Sequence, residues 1–213
     1  MQKTEFKKED KAFYTGKPGR FDILTIPPLP FLMLDGTGDP NTSQTYAEAV
    51  AALYVLSYQL KFHSKSAHQR DYTVGPLEGL WWADDMDSFT NRQKDDWRWT
   101  MMIRQPGWLT AGDIETARDL AIAKQSKRKD RSASDDDLNR LRFETYDEGL
   151  CVQVLHLGPY DVEGPVLAEL HHNFLPQNDL RPTGRHHEIY LSDPRKIAPE
   201  KLKTILRQPV ARA

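Results

Sequence analysis

Apolar positions along the chain change period several times, and each change marks an element. "PFLMLDGTGDPN" is a short apolar run stopped by Gly36, Gly38 and Pro40, which reads as a strand. Residues 43–61 then switch to helical spacing. Tyr46, Ala49, Val50, Leu53, Leu56 and Leu60 form one stripe, and Ser43 can cap its start. "DYTVGPLEGLWWADD" and "DDWRWTMMIRQP" return to strand patterning around a polar turn. Two helices follow. One starts at a Thr110 cap with Asp113 three residues on, the other near a Ser134 cap with Asp137 three residues on. Between them "KQSKRKDRSASDDD" carries blocks of opposite charge and reads as a mobile, solvated loop.

The second half repeats the order. "LCVQVLHLG" is a strand, "VEGPVLAELHHNFL" a helix with Pro165 near its first turn, and "RHHEIYL" and "LKTILRQPV" are strands. "MIRQP" closes the first half at Pro106 and "ILRQP" the second at Pro209, so the same strand–helix–strand–strand order ends twice on Arg-Gln-Pro. The chain therefore reads as α+β, with two duplicated units of roughly 21–109 and 149–213 in one domain. Residues 1–20 form a polar, extended arm, and a helical segment, 110–148, joins the halves. Two sheets related by a pseudo-twofold axis are expected, each with its helix on one face. The free faces would then meet around a ligand cleft.

Composition narrows the class. The 213 residues carry a net charge of −2, so nothing global invites nucleic acid or an anionic membrane. The single cysteine, Cys151, forbids an intramolecular disulfide, and it reads as a packed small hydrophobe. The amino terminus lacks the apolar core of a signal peptide, and no apolar run reaches the length of a membrane span. A cytoplasmic, soluble protein is expected.

The chemistry concentrates on strands. In "GRHHEIYLSDP" alternation puts His186, Glu188 and Tyr190 on one face, and His187, Ile189 and Leu191 on the other. Ile189 and Leu191 would pack under a helix, leaving Glu188 and Tyr190 to face either the cleft or solvent. In "PLEGLWW", Glu78, Leu80 and Trp82 share one side and Leu77, Gly79 and Trp81 the other, while Trp97 and Trp99 lie together on the next strand. Indoles in a cleft suit a flat, apolar or cationic ligand, and core packing accounts for each of them equally well. His156 and Tyr160 can reach the cleft rim or serve as structural residues. Glu163 at a helix start is favoured by the helix dipole alone.

Metal and phosphate sites have little support. His171 and His172 diverge by about 100° on a helix. His186 and His187 oppose one another across a strand, no i, i+4 histidine pair exists, and cysteines do not cluster. "DGTGDP" lacks the lysine of a phosphate loop. No cofactor or metal is expected.

"FLMLDGTGDPN", "EGLCVQVLHLGPYDVEGPVLAELH" and "HHEIYLSDPRKIAPEKLKTILRQPV" together resemble the GyrI-like small-molecule-binding family, specifically its stand-alone members, from about Phe31 to Val210. That resemblance implies a tandem pair of strand–helix–strand–strand (SHS2-like) units with a ligand cleft between them. Relatives include the effector-binding halves of multidrug-sensing regulators, a gyrase-inhibiting protein, and enzymes that hydrolyse cyclopropane-containing alkylating compounds. It places Glu188 in an aromatic pocket for lipophilic cations. No helix-turn-helix segment precedes Phe31, so a complete regulator is not expected. For a hydrolase, Glu188 would act as base or electrostatic support and Tyr190 as donor to developing negative charge. Trp81, Trp82 and Trp99 would stack on the ligand, with Glu78, His156, Tyr160 and His186 as further lining. The alternative is a non-enzymatic module that sequesters ligands or contacts a protein such as gyrase.

Overall fold

A computed structural model describes residues 3–84 and 93–213. Eleven strands run β1 (Lys3–Thr4), β2 (Asp22–Ile26), β3 (Leu29–Thr37), β4 (Asp71–Tyr72), β5 (Leu77–Trp82), β6 (Arg98–Arg104), β7 (Arg142–Tyr146), β8 (Gly149–Leu157), β9 (Leu180–Pro182), β10 (His186–Tyr190) and β11 (Lys203–Arg212). The helices are α1 (Phe6–Glu9), α2 (Gln44–Ala67), α3 (Ala111–Gln125), α4 (Asp135–Arg140) and α5 (Gly164–Glu169), the last continued by a π-helical turn at Leu170–Phe174 and by Leu175–Gln177. The polar turn expected between the two tryptophan-bearing strands falls largely on 85–92, outside the described residues. No helix among the described residues is long and apolar enough to cross a membrane.

Nine strands form one antiparallel sheet, not the two that the sequence suggests. Its order is β2-β8-β11-β10-β5-β6-β3-β7, with β9 alongside β11. The two halves join where β10 pairs with β5, Glu188 opposite Gly79 and Ile189 opposite Glu78. Read outward from that seam the order is the same on both sides: β5-β6-β3 then β7, and β10-β11-β8 then β2. Within this order Arg104 faces Phe31 and Arg207 faces Gln153.

The sheet cannot be flat. β2 and β3 stand six places apart in the order, roughly 29 Å if planar. Yet only Pro27 and Pro28 connect them, a link that reaches about 11 Å. Asp147 and Glu148 impose the same constraint on β7 and β8. The sheet therefore curls until its ends approach.

All major helices lie on the convex face. Ser43 caps α2 by accepting from the Tyr46 amide, and Ala49, Ala52, Leu53, Leu56 and Leu60 bury against Leu32, Leu34, Met101 and Ile103 of the sheet. Each fully buried leucine contributes about 1.5–3 kcal/mol. The capping box of Thr110 and Asp113 starts α3, as its spacing predicts, and Ser134 caps α4. The joining loop is less free than its charges suggest, because Gln125 accepts from the Ser132 amide and Ala133 is buried. On the second half, Leu170 and Leu175 of the α5 region pack on Val152.

The concave face is closed by the amino-terminal segment. Within the expected extended arm, residues 3–20 fold onto the sheet: α1 and the turn after it bury Phe6 and Tyr14 against Tyr72, Ile189 and Ile205. Ile189 thus faces α1 and the turn after it, and not α2 or α5, which lie on the opposite face. Pro209 does not end its strand either. β11 continues through it, pairing Pro209 with Cys151 and Arg212 with Leu180.

At the centre of the concave face His187 is fully buried between two carboxylates, with Nδ1 2.8 Å from Glu148 and Nε2 3.0 Å from Glu78. Arg207 donates to Glu148 (3.0 Å), Gln153 and the Phe13 carbonyl. Burial lowers the His187 pKa, but the Glu148 charge and both hydrogen bonds win and raise it. Burial raises Glu148, but His187 and Arg207 carry it down to about 2.

Replacing His187 by alanine strands Glu78 and Glu148 in the interior and is expected to cost about 3–5 kcal/mol. Urea unfolding at neutral pH checks this. The pH signs are opposite for the partners. The Glu148 contribution, present above its unfolded value near 4.5, is lost as pH falls toward about 2. The His187 contribution is present below its unfolded value near 6.5 and is lost as pH rises through its raised folded one. A loss under about 1 kcal/mol in the alanine variant would contradict this role.

Candidate functional site

Because His187 and Ile189 are drawn into the concave face, alternation turns His186, Glu188 and Tyr190 to the convex face. The starts of α2 and α5 follow two turns with glycine at positive φ, Gly38 (97°) and Gly158 (129°), a backbone region glycine occupies without strain. Tyr46 stands in the first turn of α2, and Tyr160 and Glu163 stand just before α5.

Tyr190 links these parts. Its hydroxyl accepts from Trp81 Nε1 at 3.0 Å, hydrogen-bonds to Glu188, and its ring meets Tyr160 edge-on at 5.5 Å. Trp81 in turn packs against Tyr46 (6.2 Å between centroids) and Trp97 (5.8 Å). The result is an aromatic wall around Glu188, which keeps 15% of its side-chain surface open.

Glu163 and Glu188 are both displaced upward. For Glu163 burial comes first, then the Glu188 charge, then Asp161. Burial drives Glu188 to about 7, against smaller opposing effects of the Tyr190 hydrogen bond and the His187 charge. Both are raised by burial, and the Glu188 charge raises Glu163 further, so the pair holds a proton near neutral pH. Burial with neighbouring positive charge forces the His186 ring down to about 3, so it is neutral, and its Nε2 lies 3.7 Å from Glu188, too far for a hydrogen bond. Buried polar atoms collect here: Glu163 Oε1, both His186 ring nitrogens and Thr204 Oγ1 have no hydrogen-bond partner among the described residues. Such atoms mark a place where a ligand can supply the missing partners.

The other sequence-predicted residues are distributed as follows. His156 shares the convex face, beside Thr204 in register, with Nε2 3.1 Å from the Pro159 carbonyl. Trp99 is on that face too but is 1% exposed and lies flat over Gly36, where any Cβ would come within 2.1 Å of the indole, so it is core and not a stacking surface. Glu78 and Trp82 point to the opposite face. Glu78 belongs to the His187 set, and Trp82 carries the Arg185 guanidinium 3.5 Å from its ring centroid. Tyr46, Glu163 and Thr204 were not singled out as lining. The signal that could have found the first two is their position directly after matching glycine turns.

Within single elements no two histidines share a face at metal-binding spacing. Folding instead brings His63, His68 and Asp113 together from two helices.

The chain belongs to the family of the GyrI-like small molecule binding domain, whose model matches residues 20–211. Three solved structures from Listeria innocua are similar along their whole length. An uncharacterized conserved protein is 40% identical, with TM-score 0.87, covering 98% of this chain and 100% of that one. A hydrolase is 39% identical, with TM-score 0.82 and the same coverage, 98% and 100%. A hydrolase encoded by lin2189 is 37% identical, with TM-score 0.84, covering 99% and 100%. No curated protein matches the chain.

Glu188→Gln removes a group whose ionisation opposes folding. Between its unfolded value near 4.5 and its folded value of about 7, this group costs the parent protein stability as pH rises, a loss that the variant does not share. The variant should gain on the parent from pH 5 to pH 8 by on the order of 2–3 kcal/mol. Parallel thermal melts at each pH check this; a pH-independent difference would contradict the raised value.

Proposed function

We propose that the protein binds a hydrophobic, drug-like small molecule against the Trp81–Tyr190–Tyr46 wall and hydrolyses it, the substrate class being cyclopropane-containing alkylating compounds. One observation carries the reading: Glu163, buried and with Oε1 lacking a partner among the described residues, stands beside the largely buried Glu188 in the aromatic wall, and the two carboxyls hold each other's ionisation up. Paired carboxyls with divergent pKa values are a means of running acid and base chemistry in one site. The two Listeria hydrolases, similar over the full chain, support a hydrolytic role.

The residues fit the step as follows. Ionised Glu188 takes a proton from water as the water oxygen bonds to a ring carbon. The strained carbon–carbon bond breaks, and its electron pair moves into the conjugated acceptor that activates the ring. Protonated Glu163 returns one proton to that acceptor. The sum is addition of water across the broken bond, with no cofactor. Tyr190 hydrogen-bonds to Glu188 and so positions the base, beside its expected role as donor to negative charge developing on the ligand. A raised pKa makes Glu188 a stronger base at pH 7 than an ordinary carboxylate.

The same reading takes the halves 21–109 and 149–213 as duplicated SHS2-like units within one domain of residues 21–213. The mirrored strand order and the repeated Arg-Gln-Pro support it. It also places the protein in the cytoplasm as a detoxifying activity that needs neither nucleic acid nor membrane. A second reading, a binding module that sequesters aromatic cations, is favoured by the family's description as small-molecule binding. A cation beside Glu188 would lower its pKa, so uptake near pH 7 would release a proton.

Multiple-turnover ring opening of an activated cyclopropane, followed by mass spectrometry, separates the two. Glu188→Gln should lose about 10²–10⁴ in rate, as for removal of a general base, with Tyr190→Phe losing less. Unchanged turnover in the glutamine variant would overturn the assignment. A parent protein that binds the compound once without releasing product would leave the binding module.

A further inference from the structure

We propose that His63, His68 and Asp113 form a zinc site that staples the carboxy-terminal end of α2 to the start of α3. His63 lies in the last turns of α2, His68 is its carboxy-terminal cap, and Asp113 is the third residue of α3. Both histidines direct Nε2 at the same carboxylate oxygen, Asp113 Oδ1, at 2.8 and 2.7 Å. The three donor atoms lie within 4.8 Å of one another.

The donor chemistry is that of a transition-metal site. Two imidazoles and one carboxylate suit zinc, which binds nitrogen at about 2.0–2.1 Å and carboxylate oxygen at about 2.0–2.2 Å. Donors around a tetrahedral ion at those lengths sit about 3.3 Å apart. The two histidine–carboxylate separations, 2.8 and 2.7 Å, need to open by only about half an ångström, and the two imidazole nitrogens already lie within 4.8 Å of each other. Each imidazole would then carry its proton on Nδ1, freeing Nε2 to ligate.

The carboxylate is already oriented for this. The other oxygen, Oδ2, accepts from the Thr110 amide at 2.8 Å and the Thr110 hydroxyl at 2.7 Å, so the capping box fixes Asp113 from behind. Burial favours its neutral form, yet these bonds and the histidines hold it ionised, well below the usual carboxylate range. A ligand held by such a supporting bond keeps its geometry, and loss of the support commonly weakens metal binding. His63 and Asp113 are largely buried, with 14% and 9% of side-chain surface exposed, whereas His68 keeps 34%, which gives the ion an entry path and room for water as fourth ligand.

The site is remote from the carboxyl pair. His63 is seventeen residues from Tyr46 along α2, about 26 Å at helical rise. Its effect is therefore on the union of α2 with α3, and it does not depend on the hydrolytic reading.

Chelator-stripped full-length protein is titrated with zinc by calorimetry, with cobalt(II) as a spectroscopic substitute. One zinc per chain is expected, with Kd below about 10 µM, and a melting temperature about 5–10 °C higher once zinc exceeds Kd a hundredfold. The visible absorption of bound cobalt should report a four-coordinate site. His68→Gln and His63→Gln should each weaken zinc at least tenfold and abolish the melting shift, while His171→Gln changes neither. Circular dichroism shows that the variants are folded, and His68→Gln, the more exposed substitution, decides if His63→Gln is not. No saturable zinc binding by the parent, or binding unchanged in both glutamine variants, would overturn the site.

Discussion

The fold turns on one buried ionic set. His187 sits between Glu78 and Glu148, and Arg207 completes the set, so two carboxylates face two positive groups away from water. Each member comes from a different part of the chain: β5, the β7–β8 link, β10 and β11. Together they hold the seam between the halves and the place where the curled sheet comes back on itself. The amino-terminal segment is tied to the same set through Tyr14 on Glu78 and the Phe13 carbonyl on Arg207. A buried ionic set is not by itself a source of large net stability, but removing one member is costly, which makes its arrangement hard to change.

That constraint also sets the chemistry on the other face. A strand offers alternate residues to opposite sides, so fixing His187 inward fixes His186, Glu188 and Tyr190 outward. The two faces of "HHEIY" then differ in kind. Inward, the ionisable groups are paired and hydrogen-bonded. Outward, Glu188 meets a second carboxyl, a neutral histidine and aromatic rings, and several polar atoms lack partners among the described residues. Unrelieved electrostatic cost of this sort concentrates at functional sites, because a bound molecule can relieve it. Glu188 is also one residue from His187, whose positive charge restrains its rise.

Much of this was legible in the chain. The Ser43 and Thr110 caps, the α2 stripe and the alternation of "HHEIY" are local features, and local features survive folding. The repeated "RQP" was informative beyond its length. Arg104 and Arg207 are both buried on the concave face and both anchor the amino-terminal segment, one through Tyr14 and Asp10 and the other through Phe13. What could not be read was which face the helices would take. That depends on the curl of the sheet, which follows from β2 and β7 lying at opposite ends of the order. For the same reason Glu78 was set beside Glu188, although they stand on opposite faces. The first twenty residues read as polar because, among the described residues 3–20, only Phe6 and Tyr14 are strongly buried apolar anchors. Glu163 was hidden by an adequate local explanation, the helix dipole. Its distinguishing property is proximity to Glu188, which is a long-range fact.

The central claim is that Glu163 and Glu188 are coupled carboxyls that hold one proton at neutral pH. Carbon-13 NMR of the glutamate side-chain carboxyls, assigned with Glu163→Gln and Glu188→Gln, tests it directly across pH 4 to 9. One resonance should stay in the protonated position through neutrality while the other titrates near pH 7, and Glu188→Gln should lower the pKa of Glu163, which the Glu188 charge raises. Two carboxyls titrating independently near their ordinary value of about 4.5 would contradict the account.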